Sequence, residues 1–449
     1  MRTALSLSLV VVTTSLLAAC NKPSAAPASP APAEKVEAKA AVAPEAKLAT
    51  SRALAMAKLP GDAGVDRVIA NLQRSVEKNP AKVDFWILLG RAWVRKARES
   101  SDPGFYVNAN ACAEIALEVS PDDKLAYDLQ GLVLLNDHKF REAADLASKV
   151  IAKHPDDAMA YGSLSDALLE LGRFEEAADA AQKMMDLKPN LPSYSRASYF
   201  RWLAGDEKAA LEYARLAIDS GRDPKDPEPR AWELVQAAMI FWHKGDLDGA
   251  DAGFTRALDG MTEYPPALVG RGRVALARGD AKRAAELFQR AYDQSPLPET
   301  AWLLGDARAA AGDEEGAGAA FAKLEKDGRR GDPRTLALFF ATKNQNAPEA
   351  LALATAEMKA RGDVYTEDAY AWAAYRAGKV DEAKRAIDHA RRLGTNDARL
   401  VYHQGAIHIA AGDVATGKKL VATALATNAA FDVDGAREAR KLLETKPKS

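Results

Sequence analysis

The chain has 449 residues, 28% of them charged, and a formal net charge of −2. This near-neutral balance excludes nucleic acid as a main partner and docking on anionic lipid by charge alone. Aromatics are only 7%, and the bulk of the chain is Ala, Leu, Glu, Lys and Arg, a helix-forming palette. Only two cysteines occur, Cys20 and Cys112, so a disulfide framework is excluded once Cys20 is otherwise engaged.

Residues 1–19 read as a signal peptide. Arg2 supplies the positive start, and Leu5 to Ala18 form an uncharged apolar run. That run is shorter than the ~20 residues a spanning helix needs. It ends in Leu17-Ala18-Ala19-Cys20, which resembles the lipobox of bacterial lipoproteins. The resemblance implies that the Cys20 thiol is acylated and becomes the new N-terminus, whereas an ordinary secretory peptide would be cleaved near Ala19 with Cys20 incidental. Two or more acyl chains, at about 0.8 kcal/mol per buried methylene, hold a protein stably on a membrane. Asn21 follows rather than Asp; by resemblance to enterobacterial sorting this implies an outer-membrane lipid anchor with the body facing the periplasm. Residues 20–50, rich in Ala and Pro, carry no apolar period and read as a disordered tether. Extended at about 3.1 Å per residue, some 30 residues span up to ~90 Å.

From there the chain repeats about every 34 residues. With Ala158 as position 1, Tyr161, Leu164, Leu168, Gly172, Ala177, Ala181 and Pro189 fall at positions 4, 7, 11, 15, 20, 24 and 32. Starting at Lys124, the register brings up Tyr127, Gly131, Leu134, Ala143 and Pro155; starting at Pro265, Gly272, Gly279, Ala284, Phe288, Ala291 and Pro296; starting at Ala398, Gly405 and Gly412. Small residues at 8 and 20 let two helices approach, and large apolar ones at 4, 7, 11 and 24 fill the space beside them. Position 15 permits the positive dihedral that ends a helix, and proline at 32 stops the second helix. This pattern resembles the tetratricopeptide repeat family, which implies an all-α superhelical solenoid of about ten repeats.

Units are expected near Val83, Lys124, Ala158, Leu191, Ala231, Pro265, Pro298, Gly331, Val364 and Ala398. Ser100 to Gly104 lengthen the first, the eighth is weak, and Arg222 to Arg230, with three prolines, form a loop. Residues 51–82 read as a leading helical half-repeat containing Val65 to Lys78. The solenoid proper spans 83–430, and 431–449 hold a capping helix, Asp434 to Glu444, and a tail.

No catalytic constellation stands out. The chain has no Gly-rich phosphate loop, Gly-x-Ser-x-Gly elbow or His-Glu-x-x-His. His403 and His408, five apart, do not share a helix face. The acidic pairs Glu175-Glu176 and Glu314-Glu315 sit at helix starts, where the dipole favours them. Cys112, among small and apolar neighbours, reads as a buried structural thiol. Neither enzyme activity, metal nor cofactor is expected.

In the tetratricopeptide family, positions 2, 5, 9, 12 and 13 of the first helices line a concave groove. Carried onto this sequence, that resemblance selects Arg91, Arg95, Tyr199, Trp202, Trp232, Trp242, Trp302, Asp306, Phe339, Tyr365, Asp368, Trp372, Tyr375 and Tyr402. The rings form either an exposed binding row or bridges between neighbouring units of a tight superhelix. The expected function is a membrane-anchored scaffold that takes a protein or peptide in this groove while an envelope, secretion or export machine assembles. The alternative is a carbohydrate-binding solenoid, with flat rings stacking on sugars and Asp306 and Asp368 taking hydroxyls.

Overall fold

The computed structural model describes residues 44–61 and 64–444; the expected signal peptide, Cys20, most of the expected tether and residues 445–449 lie outside them. Among the described residues there are twenty-three α-helices and no strand. Two helices lead, α1 (Pro44–Ala55) and α2 (Gly64–Lys78). The first three pairs are α3 (Val83–Ser100) with α4 (Tyr106–Val119), α5 (Lys124–Asn136) with α6 (Phe140–Lys153), and α7 (Ala158–Glu170) with α8 (Phe174–Leu187). The next three are α9 (Leu191–Leu203) with α10 (Glu207–Ser220), α11 (Glu228–His243) with α12 (Leu247–Gly260), and α13 (Pro265–Ala277) with α14 (Ala281–Gln294). Then come α15 (Pro298–Ala310) with α16 (Glu314–Gly331) and α17 (Pro333–Thr342) with α18 (Ala347–Ala360). The last pairs are α19 (Val364–Arg376) with α20 (Val380–Ala390) and α21 (Ala398–Ala410) with α22 (Val414–Thr427), before the closing helix α23 (Val433–Glu444). No helix among the described residues is long and apolar enough to cross a membrane.

Local chemistry explains both the starts and the stops. Aspartates cap first and second helices alike: Asp157 accepts from the Met159 and Ala160 N–H groups at the head of α7, and Asp280 from Arg283 N–H at the head of α14. Between the helices of a pair the chain turns through a positive φ, +73° at Gly205 for example; unit two reaches the same conformation with His138 at +58°. Within a pair, small and large residues interlock. A Cβ on Gly272 would stand 2.5 Å from the Phe288 ring, so the glycine is the socket for that ring. Ala177 and Ala284, both at position 20, are fully buried.

Three boundaries differ from expectation. Helix α1 begins at Pro44, inside the segment expected to be tether, because it has a partner: Ser51 donates to Glu114 at 2.6 Å, and the Trp93 indole N–H and the Asn108 amide donate to the Ala55 and Leu54 carbonyls. The leading element is therefore two helices, α1 on α4 and α2 on α3, rather than a half-repeat beginning at 51. Helix α11 starts at Glu228 rather than Ala231, since Pro229 occupies the first turn, where its missing N–H costs nothing. Unit eight opens at Pro333, because α16 runs on to Gly331.

The superhelix is tight enough to touch itself. Ser295 Oγ donates to the Ser101 carbonyl at 2.6 Å, and Gly362 N–H to the Glu170 carbonyl at 2.8 Å. Thr395 Oγ1 donates to the Leu203 carbonyl at 2.7 Å, and the Asn428 side-chain amide to the Trp242 carbonyl at 2.7 Å. These bonds join unit one to six, three to eight, four to nine and five to ten. The rise is thus five repeats per turn, with the second turn seated on the first.

Candidate partner-binding groove

The first helices face inward, and a large inner hollow lies where α7, α9 and α11 look across at α15, α17 and α19. Half open to solvent, it has a volume of about 770 Å³. Tyr199, Trp202, Trp232, Glu233, Arg196 and Tyr365 are among its walls. Trp232 and Tyr199 are 45% and 40% exposed, and they are the only exposed aromatic residues among the described ones.

Most charges around this hollow are matched. Arg196 grips Asp166 through two nitrogens, at 2.8 and 2.5 Å, and Arg334 lies 3.4 Å from Asp363. The Trp202 indole N–H donates to the Tyr365 hydroxyl at 3.2 Å across the seam between turns, while His243 packs tilted on Trp202 and approaches Asp397 at 3.3 Å. Glu170 is pushed up to about 7 by burial and by Asp363. Glu233 is fully buried with no cation beside it; burial raises it to about 7, opposed only by the nearby Ser195 hydroxyl.

A second hollow of about 330 Å³ lies farther along the inner face, walled by Trp242, Trp302, Arg273, Arg399 and Phe431 and closed by α23.

Of the two arrangements open to the rings, an exposed row or bridges between neighbouring units, the fold builds the bridges for most of them. Trp202, Trp242, Trp302, Phe339, Trp372 and Tyr402 are all buried. Phe339 meets Trp302 edge-on at 5.5 Å, Trp372 meets Tyr402 at 5.4 Å and stacks on His403 at 4.0 Å, and Tyr402 meets Phe431 at 5.3 Å. Tyr375, half-buried, leans on Trp372 at 5.1 Å. At five repeats per turn most first helices lie against the next, α7 and α9 at the hollow being the exception, so positions that line an open groove in a looser coil become packing positions here. Asp306 is buried on Lys343 at 2.5 Å, which also holds Asp434 at 2.7 Å, and Asp368 is buried against His403 at 2.7 Å. Both carboxylates are thus buried and held by a partner side chain, although one Asp368 oxygen has no hydrogen bond. Arg95 is engaged by Glu99 at 2.6 Å and Asp226 at 3.6 Å, whereas Arg91 is exposed, away from either hollow.

Trp232, Tyr199, Trp202 and Tyr365 therefore come together in one site, and the remaining expected residues do not join them. Glu233 went unread because it sits at position 3, outside the groove positions; its one sequence signal is a carboxylate next to Leu234 and Val235, both of which are buried.

A tetratricopeptide repeat family model matches residues 129–192, 235–297 and 269–333. No curated protein matches the chain by sequence. Among solved structures, it is similar to PilW, a type IV pilus biogenesis factor, at 16% identity over 46% of this chain and 95% of that one, with a TM-score of 0.39. It is similar to a tetratricopeptide repeat protein from Parabacteroides merdae at 17% identity over 54% and 94%, with a TM-score of 0.38. Human IFIT1, solved as a dimer with PPP-AAAA, aligns over 84% of this chain and 99% of its own at 13% identity, with a TM-score of 0.46.

Proposed function

Since the chain is a tetratricopeptide repeat protein, we propose that it is a non-catalytic scaffold that holds a protein or peptide partner on the inner face of units three to five. The observation that carries this reading is the pairing of Trp232 and Tyr199, exposed together on one hollow large enough for several side chains. Every other described Phe, Tyr or Trp ring is buried or half-buried; exposing two costs hydrophobic free energy, of about 25 cal/mol per Å², that a partner's surface would return. The carbohydrate alternative has less support, because most of the rings it needs are buried and both of its carboxylates are held by Lys343 and His403.

The reading extends to the cell envelope. Leu17-Ala18-Ala19-Cys20 favours lipidation of Cys20, Asn21 favours the outer membrane, and the Ala/Pro-rich stretch before Pro44 gives reach into the periplasm. The scaffold would then serve assembly of an envelope, secretion or export machine.

The test is photo-crosslinking in native membranes from positions 232 and 199, with Trp372, fully buried, as the control position. One dominant protein adduct from 232 and 199, absent from 372, supports the scaffold. Glycan adducts, or none from any position, would overturn it. Separately, Cys20→Ala should shift the protein out of the membrane fraction or block its processing; retention through a carbonate wash counts against the lipid anchor.

A further inference from the structure

Glu233 differs from every other carboxylate on the inner hollow. Asp166 is neutralised by Arg196, Glu299 by Arg273 at 2.6 Å, and Glu170 lies 3.6 Å from Arg361. Glu233 is completely buried, no cation pairs with it among the described residues, and its one polar neighbour is the Ser195 hydroxyl, outside good hydrogen-bond geometry. Its immediate neighbour Trp232, together with Tyr199, supplies the exposed aromatic surface of the same hollow. An unpaired buried carboxylate is among the costlier features a helix can carry. Repeat packing does not require one here, since Ala231, Leu234 and Val235 already fill the core around it.

We propose that Glu233 is the counter-ion for a cationic group of the partner, a lysine or arginine side chain that enters the hollow lined by Trp232 and Tyr199. Three features fit that chemistry. Aromatic faces attract ammonium and guanidinium groups through their quadrupoles. A carboxylate behind a low-dielectric wall attracts a cation without direct contact, because Coulomb attraction is weakly screened there. The two arginines on the hollow, Arg196 and Arg334, are each held by an aspartate, so they repel an incoming cation less than free arginines would. The inference rests on the groove reading and names the partner's chemistry: a basic residue on an extended chain.

The test uses the detergent-solubilised full chain and four probes. Three are blocked pentapeptides of alanine with lysine, arginine or norleucine at the centre; the fourth is free n-butylamine. Binding is read by calorimetry and ligand-observed NMR. The lysine and arginine peptides are expected to bind at least roughly tenfold more tightly than the norleucine peptide. Glu233→Gln, which keeps the side-chain shape, is expected to bring that ratio to near one, and Trp232→Ala to reduce it. Equal binding of the lysine and norleucine peptides, no binding of either, or a preference unchanged in Glu233→Gln would overturn the proposal. Butylamine binding as tightly as the lysine peptide would assign the cation to a free amine rather than to a chain. The two readings fail separately: a crosslinked partner retained equally by Glu233→Gln leaves the groove standing and removes the cation, whereas the absence of any adduct removes the groove.

Discussion

The side-chain amide of Asn428 donates to the main-chain carbonyl of Trp242 across 2.7 Å, bringing together residues 186 apart in sequence. Asn428 follows the second helix of unit ten, and Trp242 lies near the end of the first helix of unit five. Thr395 and Leu203 repeat the contact one unit earlier. The seam these bonds make holds one turn of the superhelix on the next.

Glycine substitutions separate the seam from the turn. Gly205 and Gly312 both hold positive φ, +73° and +84°. A Cβ at Gly205 would stand 2.6 Å from the Gly394 carbonyl oxygen, whereas at Gly312 it meets nothing within 4 Å. Each alanine variant bears the left-handed penalty of about 1–2 kcal/mol, but Gly205→Ala also pushes the two turns apart. Thermal unfolding should show Gly205→Ala less stable than Gly312→Ala by roughly a further 1 kcal/mol or more. Equal melting temperatures would mean that the seam contributes nothing to stability.

Ala177 is fully buried at the crossing of α7 and α8, beside the bond from Ser165 Oγ to its own carbonyl at 2.8 Å. Ala177→Phe should overpack the pair and destabilise by ~1–3 kcal/mol. A denaturant midpoint equal to wild type would refute close helix approach at this position.

Glu233 gives the fold a pH signature. Burial raises its carboxyl from an ordinary 4.5 to about 7, so the folded state holds the proton more tightly than the unfolded chain. Its contribution to stability is full below about 4.5 and is lost as pH rises toward about 7. Glu233→Gln should flatten that decline and leave the variant more stable than wild type at pH 8, by on the order of 2 kcal/mol. Asp128 and Glu170, also raised to about 7 with burial the leading cause, keep their share of the slope. Urea melts from pH 4.5 to 8 on both proteins measure the difference, and parallel curves would count against an unpaired buried carboxylate.

Cys112 is fully buried between α3 and α5, and burial pushes its thiol far up, so thiolate is scarce at neutral pH. Alkylation by iodoacetamide in the native protein should be slower than in urea by at least about a hundredfold. Fast native labelling would show that the N-terminal helices open readily.

Much of this protein was legible in its residues. The 34-residue period, with Gly172 at position 15, Ala177 at 20 and Pro189 at 32, specifies helix pairs through short-range rules of turn, socket and stop, and the helices begin at Lys124, Ala158, Leu191 and Val364 where that register puts them. The helix from Pro44 was not legible, because Pro44–Ala55 has little apolar period of its own and is helical through its contacts with α4. The fate of the groove residues was not legible either. Whether Trp372 faces solvent or packs on His403 depends on the angle between successive repeats, which small differences in side-chain volume at many interfaces set together. The repeat and its helices follow from the residues alone, since those depend on neighbours a few residues away. Only the tertiary structure decided that five repeats close a turn, that Trp202 and Trp372 are buried while Trp232 stays open, and that Glu233 stands unpaired, since those depend on residues nearly two hundred positions apart meeting across a seam.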